Sequence, residues 1–226
     1  MEYLEFERIL SAKRMRRYKE AANGDTRKAM ALYRYNLRLS QEMFTIVSCF
    51  EVALRNAIDG LLVTTLGNDW LRDSVQDGGI FSNGRMNETR KIIEKAYNRL
   101  NRQGIFSHSK LIAEMEFGVW KYMYSSLQYR ATGQCLLRAF PNKPRSSAAI
   151  QYNNTYIFNE LDKVNSLRNR IAHHEPICFR LHASKIDTSY IVNEYQKIQT
   201  LFSWMGIDSR SMLYGLDHVQ SVCTKI

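Results

Sequence analysis

One short stretch of the chain gathers side chains that could cleave a phosphodiester bond. Residues 166–177 contain Arg168, Asn169, His173 and His174 among small and apolar residues. A histidine can accept or donate a proton near neutral pH, and a guanidinium can neutralise charge that develops on a phosphate. These residue types point to acid–base chemistry on a phosphate-bearing substrate.

The spacing of this stretch predicts a helix that presents its polar side chains beside a buried edge. At 100° per residue, an apolar stripe clusters within about 80° of the helix surface. Its members are Leu161, Val164, Leu167 and Ile171. Asn165, Asn169 and His173 follow at intervals of four on a neighbouring stripe, with Arg168 at the boundary. His174 falls on the opposite side of the core stripe, so His173 is the better partner for Asn169.

These groups suit the cleavage of RNA without a metal. One group must take the proton from a ribose 2′-OH, and another must protonate the departing 5′-oxygen; His173 can serve either role. Arg168 can stabilise the charged transition state, and Asn169 can orient the imidazole or hold a phosphate oxygen. Because one helix supplies one well-placed histidine, a two-histidine site needs a second copy, most simply from a symmetric homodimer.

A purely structural interpretation competes with this chemistry. A histidine in the last turn of a helix can cap carbonyl groups and interact with the helix dipole. Arg168 can likewise pair with a nearby acidic side chain. The spacing alone leaves both interpretations open.

A second candidate group lies earlier in the chain. Glu51 and Arg55 are four residues apart and can form an ordinary helix ion pair. The functional alternative places Arg55, together with Asn56, beside the 166–177 segment, where the two side chains would contact phosphate as substrate-binding residues.

Metal and cofactor chemistry find little support in the sequence. His174, Cys178 and His182 are spaced by four, but Pro176 interrupts any helix there and a fourth ligand is missing. The glycine-rich, nucleophile-elbow and HExxH patterns of nucleotide-binding proteins, serine hydrolases and zinc proteases are absent. We therefore expect neither a metal nor a cofactor.

The charge balance favours a polyanionic partner. The chain of 226 residues carries a net charge of +10 with a pI near 9.5. Residues 1–50 contribute +4 and residues 101–150 contribute +5, while the other stretches are nearly balanced. A local excess of this kind favours a basic surface that binds RNA. The first such run consists of Arg14, Arg16, Arg17, Lys19, Arg27, Lys28, Arg34 and Arg38. A run of this kind is usually a solvated face, and the RNA hypothesis offers the alternative of a surface that contacts phosphates.

Composition and periodicity predict an all-α bundle of about seven or eight helices. Only 3 prolines and 11 glycines interrupt the chain, and no segment shows the sustained alternation of a strand. We assign residues 1–226 to one domain, with residues 1–24 as a basic N-terminal helix and residues 72–85 as a loop. The expected helices are 3–22, 25–37, 40–66, 87–102, 107 or 109 to 129, 147–172, 187–204 and 209–223. Asp25, Asn87 and Ser107 or Ser109 are expected to cap helix starts.

The cellular environment follows from the cysteines and the hydropathy pattern. The four cysteines lie far apart, and the N-terminus lacks a secretory signal. No window contains eighteen uncharged apolar residues. We therefore expect reduced thiols, a cytoplasmic location and no membrane association.

Four ordered segments resemble a known protein family. The string Arg168-Asn169 followed by His173 matches the RNxxxH motif of HEPN ribonucleases, and residues 167–177 resemble the C-terminal motif of the Abi-like abortive-infection proteins, a HEPN-related group. Residues 50–58 resemble the N-terminal core helix of that family. Residues 116–120 resemble its FGxW segment, and residues 139–141 its following Phe-Pro. The resemblance spans about residues 30–180.

The resemblance implies a dimeric helical bundle whose two motif histidines meet in a shared cleft. It implies metal-independent RNA cleavage in phage defence or as a toxin, with Arg168 and His173 as the catalytic pair and Asn169 in support. The adjacent His173 and His174 leave the motif histidine ambiguous, because looser forms of the motif allow a longer gap. We assign His174 to substrate binding. An antitoxin, a regulatory RNA or a phage-derived trigger would control the activity. A non-catalytic RNA-binding module and a protein-interaction subunit remain alternatives.

Overall fold

The computed structural model describes residues 1–180 and 182–226, and these residues form a helical protein. Its α-helices are α1 (Tyr3–Leu10), α2 (Ala12–Ala21), α3 (Thr26–Leu66), α4 (Trp70–Asp73), α5 (Asn87–Arg102), α6 (His108–Ala113), α7 (Phe117–Tyr122), α8 (Ser126–Ala131), α9 (Asn154–Ala172), α10 (Ser189–Trp204), α11 (Ser209–Met212) and α12 (Val219–Cys223). Two short 3-10 helices lie between these elements: Gly84–Met86 precedes α5, and Leu136–Ala139 follows α8. The described residues contain no strand, so the all-α prediction is confirmed, with twelve α-helices instead of seven or eight.

The chain divides into two compact units. The first unit contains Met1–Ser48, Ser166–Thr200 and Asp208–Ile226, and the second contains Cys49–Asn165 and Leu201–Ile207. Helices α3, α9 and α10 contribute residues to both units. The assignment of the chain to a single domain stays a prediction.

An aromatic cluster forms part of the core of the first unit. The Tyr33 ring packs edge-on against Phe6 and Tyr18, with ring centroids 5.5 and 5.2 Å apart. Tyr18 also contacts Phe179, with centroids 5.1 Å apart. The cluster fixes α1 and α2 against α3 and against the segment that follows α9.

The expected N-terminal helix is interrupted at Ser11. This residue adopts a φ of +79°, and its hydroxyl accepts a hydrogen bond from the Arg14 amide. Because the serine side chain caps the start of α2, the backbone turns there instead of continuing. The prediction of one helix over residues 3–22, and of a single basic helix over residues 1–24, is therefore wrong.

Helix α3 is longer than the sequence pattern suggested. Residues 25–37 and 40–66 were predicted as two helices, but they form one helix of 41 residues. Leu39 lies between the two segments and is fully buried, and no glycine or proline occurs there to break the helix. The Asp25 side chain accepts the Lys28 amide at 3.0 Å, which confirms the predicted cap.

The second unit packs around Phe50. Its ring contacts Phe117 and Phe202, with centroids 6.3 and 5.3 Å apart. At the end of α3, Asp59 accepts a hydrogen bond from the Trp70 indole at 2.7 Å and lies 2.8 Å from the His108 imidazole. These contacts hold α4 and α6 against α3.

Residues 107–129 form three short helices, whereas one helix was predicted. Ser107 caps α6 as expected, but the Met115 amide bonds to the Ile112 carbonyl and ends it. Glu116 and Ser125 are extended and precede α7 and α8. An ion pair then joins α7 to α9: the buried Lys121 side chain donates to the exposed Asp162 carboxylate at 2.7 Å.

The loop and the helix around residue 87 agree only partly with expectation. Helix α5 matches the predicted 87–102, but Asn87 is its first residue and makes no cap. Asn83 instead accepts the Arg85 amide and starts the short 3-10 helix. The predicted loop 72–85 overlaps the end of α4 and the start of that 3-10 helix.

The last predicted helices are shorter in the structure. Helix α9 begins at Asn154 instead of residue 147, because the Asn153 side chain accepts the Tyr156 amide and caps the helix there. The predicted 187–204 helix is α10, which starts two residues later, after Asp187 accepts the Ser189 amide. Residues 209–223 split into α11 and α12.

Two predictions about cysteines and membranes can be compared with the structure. All four cysteines are free thiols. Among the described residues, no helix combines the length and the apolar character needed to cross a membrane.

Candidate active site

Arg168 and Asn169 lie in the last two turns of α9, and His173 is the first residue after the helix. The predicted apolar stripe is confirmed, since Leu161, Val164, Leu167 and Ile171 are all buried. Arg168 is half-buried at the edge of this stripe, whereas Asn169 and His173 are exposed. The helix therefore brings an arginine, an amide and an imidazole to one accessible stretch of surface.

Asn169 and His173 are neighbours along one face of the helix. The His173 amide donates to the Asn169 carbonyl at 2.9 Å, which is the regular helical bond at this spacing. Side chains four residues apart on a helix lie within reach of each other. The pairing of the Asn169 and His173 side chains and the roles of both stay predictions.

The helix ends in a defined turn that fixes the backbone at the two histidines. The His174 amide donates to the Ile171 carbonyl, and the Glu175 amide donates to the Arg170 carbonyl, both at 2.9 Å. This bond pair is the usual helix-terminating arrangement with a left-handed residue after the last turn. That residue is His174, with a φ of +56°. The helix thus ends at residue 172 as predicted. The left-handed turn at His174 and Pro176 both help to end it.

Arg170 holds this turn from within the motif. Its guanidinium donates to the Pro176 carbonyl at 2.9 Å and lies 3.4 Å from the Glu175 carboxylate. The same guanidinium packs over the Tyr190 ring, 5.0 Å from its centroid. The spacing of the motif does not indicate this role of Arg170, although a basic residue in the last turn of a helix is a known partner for terminal carbonyl groups.

Helix α2 supports the turn from outside the motif. Arg14 donates to the His174 carbonyl at 2.7 Å. Arg17 donates to the carbonyls of Arg180 and Ala183 and lies over the Phe179 ring, 4.8 Å from its centroid. Two members of the basic run therefore bind backbone carbonyl groups of this unit.

Asn36 anchors the residues that follow the motif. Its buried side-chain oxygen accepts the Ile177 amide at 2.8 Å and the Cys178 amide at 3.2 Å. The sequence carries a weak signal for this role, because Asn36 interrupts the buried positions Leu32 and Leu39 of α3. A polar residue on a buried helix face usually has a hydrogen-bond partner.

Arg55 and Asn56 lie in the second unit. Arg55 is half-buried and Asn56 is exposed, and the Arg55 Nε lies 3.5 Å from the Asn56 side-chain oxygen. The motif belongs to the first unit. The assignment of Arg55 and Asn56 to substrate binding stays a prediction.

The structure also shows the surroundings of the candidate metal ligands His174, Cys178 and His182. Cys178 is buried, and this burial raises the pKa of its thiol to about 12, which disfavours the thiolate that binds metals. His174 and His182 are exposed. Within residues 1–180 and 182–226, no three His, Cys, Asp or Glu side chains cluster in a way that could hold a metal ion.

The left-handed conformation of His174 gives a testable effect on stability. A non-glycine residue at positive φ is strained, so we expect His174→Gly to raise the free energy of unfolding by about 0.5–1 kcal/mol. His173→Gly is the matched control: it lies outside the left-handed region and should lower that free energy by a similar amount. Urea unfolding of the three proteins measures both changes. A loss of stability in His174→Gly would contradict the described turn.

Comparison with known proteins identifies the family. A family profile described as Abi-like protein matches residues 3–178, which includes α1, α2 and the motif end of α9. Comparisons of the chain with curated proteins and with solved structures give no significant match. Because the matched region covers most of the chain, this protein belongs to the Abi-like family.

Proposed function

We propose that the protein is a metal-independent endoribonuclease of an abortive-infection or toxin-type phage-defence system. Membership of the Abi-like family supports the defence role. The observation that supports the chemistry is the arrangement at the C-terminal end of α9, where Arg168, Asn169 and the exposed His173 share one accessible stretch. The RNxxxH spacing of these residues further supports a place in the HEPN superfamily.

In the proposed reaction, a ribose 2′-oxygen attacks the adjacent phosphorus. A base removes the proton from the 2′-OH, the P–O5′ bond breaks, and an acid protonates the departing 5′-oxygen. The products are a 2′,3′-cyclic phosphate and a 5′-hydroxyl. His173 acts as the acid or the base, Arg168 stabilises the negative charge on the phosphorane-like transition state, and Asn169 orients the imidazole.

The fixed helix end supports this assignment of roles. Arg170 and Arg14 bind the backbone at residues 174–176, so the His173 main chain has a defined position. Catalytic groups need such support because small displacements of a reacting group cost large factors in rate. The second histidine of the reaction would come from a second copy of the chain in a homodimer with a composite site.

The proposal is tested by RNA cleavage in the presence of excess EDTA. We expect the wild-type protein to cut single-stranded RNA at the same rate with EDTA as with added Mg²⁺. Loss of cleavage in EDTA and its recovery with Mg²⁺ would contradict a metal-independent mechanism. RNA binding without any cleavage would favour the non-catalytic RNA-binding module instead.

The RNA-binding alternative rests on the exposed basic residues of the first unit. Arg16, Arg27 and Arg38 are exposed and are the three positions chosen for the test. Arg34 is also exposed, but its guanidinium packs over the Phe6 ring, 5.3 Å from the centroid. For single-stranded nucleic acid, each phosphate contact adds about 0.7 to the steepness with which the logarithm of the binding constant falls with the logarithm of the salt concentration. We expect the triple alanine variant at the three exposed positions to reduce that slope by about 1–2. An unchanged slope would show that these three side chains do not contact RNA.

A further inference from the structure

A groove in the second unit has no role in the proposed reaction. It has a volume of about 670 Å³ and lies between α5 and the segment that contains α7. The α5 wall uses positions at helical spacing, from Thr89 through Ile92 and Ala96 to Arg99. At 1.5 Å per residue these positions span about 15 Å. The groove is therefore as long as three turns of a helix.

The groove is apolar inside and open to solvent along one side. Met86, Met115 and Val119 line it and are buried. Ile92 and Tyr122 lie on its opposite walls and are 48% and 47% exposed. A small-molecule site usually encloses most of its ligand, whereas a half-open apolar trough accepts side chains from one face of a partner helix.

Gly118 indicates close approach of an occupant to α7. In a helix, glycine is less favourable than alanine because it loses more backbone freedom. A Cβ at Gly118 would meet no atom within 4 Å, so packing inside the protein does not require glycine there. Because Gly118 lines the groove, the missing side chain leaves the α7 backbone accessible from the groove.

The charges along the rim favour an acidic occupant on the α5 side. Glu88 pairs with Lys91 at 3.3 Å, and Arg99 pairs with Glu114. Arg85 and Lys95 also line the groove on the α5 side, and the exposed Glu116 lines it on the α7 side; among the described residues, none of these three side chains makes an ion pair. The α5 side therefore carries two cations without a partner.

We propose that this groove binds an amphipathic helix of a partner protein, with the apolar face of that helix in the groove and acidic residues along the edge next to Arg85 and Lys95. Apolar side chains of the partner cover Ile92 and Tyr122, and its backbone approaches α7 at Gly118. This inference is independent of the proposed nuclease reaction, because it rests on a different set of residues and its test uses no RNA.

The test is a selection from a displayed library of 14-residue helical peptides. Leucine is fixed at positions 1, 4, 8 and 11, and the remaining positions are randomised. We expect wild-type protein to select peptides with Asp or Glu along one edge. Gly118→Leu fills the groove and should weaken their binding at least tenfold. The double variant Arg85→Glu with Lys95→Glu should also weaken it at least tenfold and should favour peptides with a basic edge instead.

Gly60→Leu is the matched control for the glycine substitution. Gly60 is an exposed helical glycine in α3 whose Cβ would likewise meet no atom within 4 Å, and it does not line the groove. Peptide binding should be unchanged in this variant. Thermal unfolding verifies that all variants remain folded. Selection of peptides that bind wild type and Gly118→Leu equally, or without preference for an acidic edge, would overturn the proposal, as would a selection that enriches no peptide.

Discussion

Replacing His173 with alanine is expected to slow RNA cleavage by about 10²–10⁴-fold, because the reaction loses its positioned acid or base. The His173 side chain is exposed, so the free energy of unfolding should change by less than about 0.5 kcal/mol. Single-turnover cleavage of a labelled RNA, measured beside urea unfolding, separates the two effects. A large rate loss in a stable protein is the signature of a catalytic role.

Arg168→Ala should cause a similar loss of about 10²–10³-fold, because the charge on the transition state loses its partner. Arg168→Lys should recover only part of the rate, since an ammonium lacks the planar fork of a guanidinium. His174→Ala provides the neighbouring control and should lose less than about tenfold. If His174→Ala abolished cleavage while His173→Ala retained it, the assignment of the motif histidine would be wrong.

Asn36→Leu should have the largest effect on stability. The substitution removes the oxygen that accepts the amides of Ile177 and Cys178, and both amides then remain buried without that acceptor. An unsatisfied buried donor costs about 1–3 kcal/mol, so we expect the free energy of unfolding to fall by about 2–5 kcal/mol. Urea unfolding followed by circular dichroism measures the change.

Asn98→Leu is the control for this substitution, because Asn98 is an exposed asparagine on α5. It should change the free energy of unfolding by less than about 0.5 kcal/mol. Equal stability of Asn36→Leu and wild type would show that the segment after the motif does not depend on α3. Because Ile177 directly follows the motif turn, Asn36→Leu should also slow cleavage under conditions where it remains folded.

The local features of the candidate site could be predicted from the sequence. The interval of three and four residues between Leu161, Val164, Leu167 and Ile171 identified the buried side of α9. The same geometry placed Asn169 and His173 on one accessible face. Helical periodicity is a local property, and for this reason the all-α fold followed from it. The end of α9 at Ala172 followed from Pro176, because proline disfavours a helical conformation at the residue before it.

The contacts that hold the site could not be predicted in the same way. Arg14 reaches the His174 carbonyl across 160 residues of sequence, and Asn36 reaches the Ile177 amide across 141. Such contacts depend on tertiary packing, which periodicity does not report. The sequence groups the basic run into one surface, but Arg14 and Arg17 bind backbone carbonyl groups, whereas Arg16 pairs with Glu20 on its own helix.

The predicted helix boundaries were wrong at positions where a side-chain cap determines the end of a helix. Ser11 caps α2 and divides the predicted N-terminal helix, and Asn153 delays the start of α9. Serine and asparagine are common both within helices and at their ends, so their type alone does not decide between the two. The prediction at α3 is wrong for the opposite reason. Two helices were predicted there, but the chain continues as one helix through the buried Leu39, where no side chain caps a new helix.

Cleavage of an oligonucleotide that contains a single ribose tests the central claim most directly. The other sugars carry 2′-O-methyl groups, EDTA is present throughout, and mass spectrometry identifies the product ends. The wild-type protein should cut only after the ribose and leave a 2′,3′-cyclic phosphate and a 5′-hydroxyl, and His173→Ala should leave the substrate intact. Cleavage at a 2′-O-methyl position, a 5′-phosphate product or equal cleavage by His173→Ala would contradict RNA cleavage by 2′-OH attack with His173 as the acid or base.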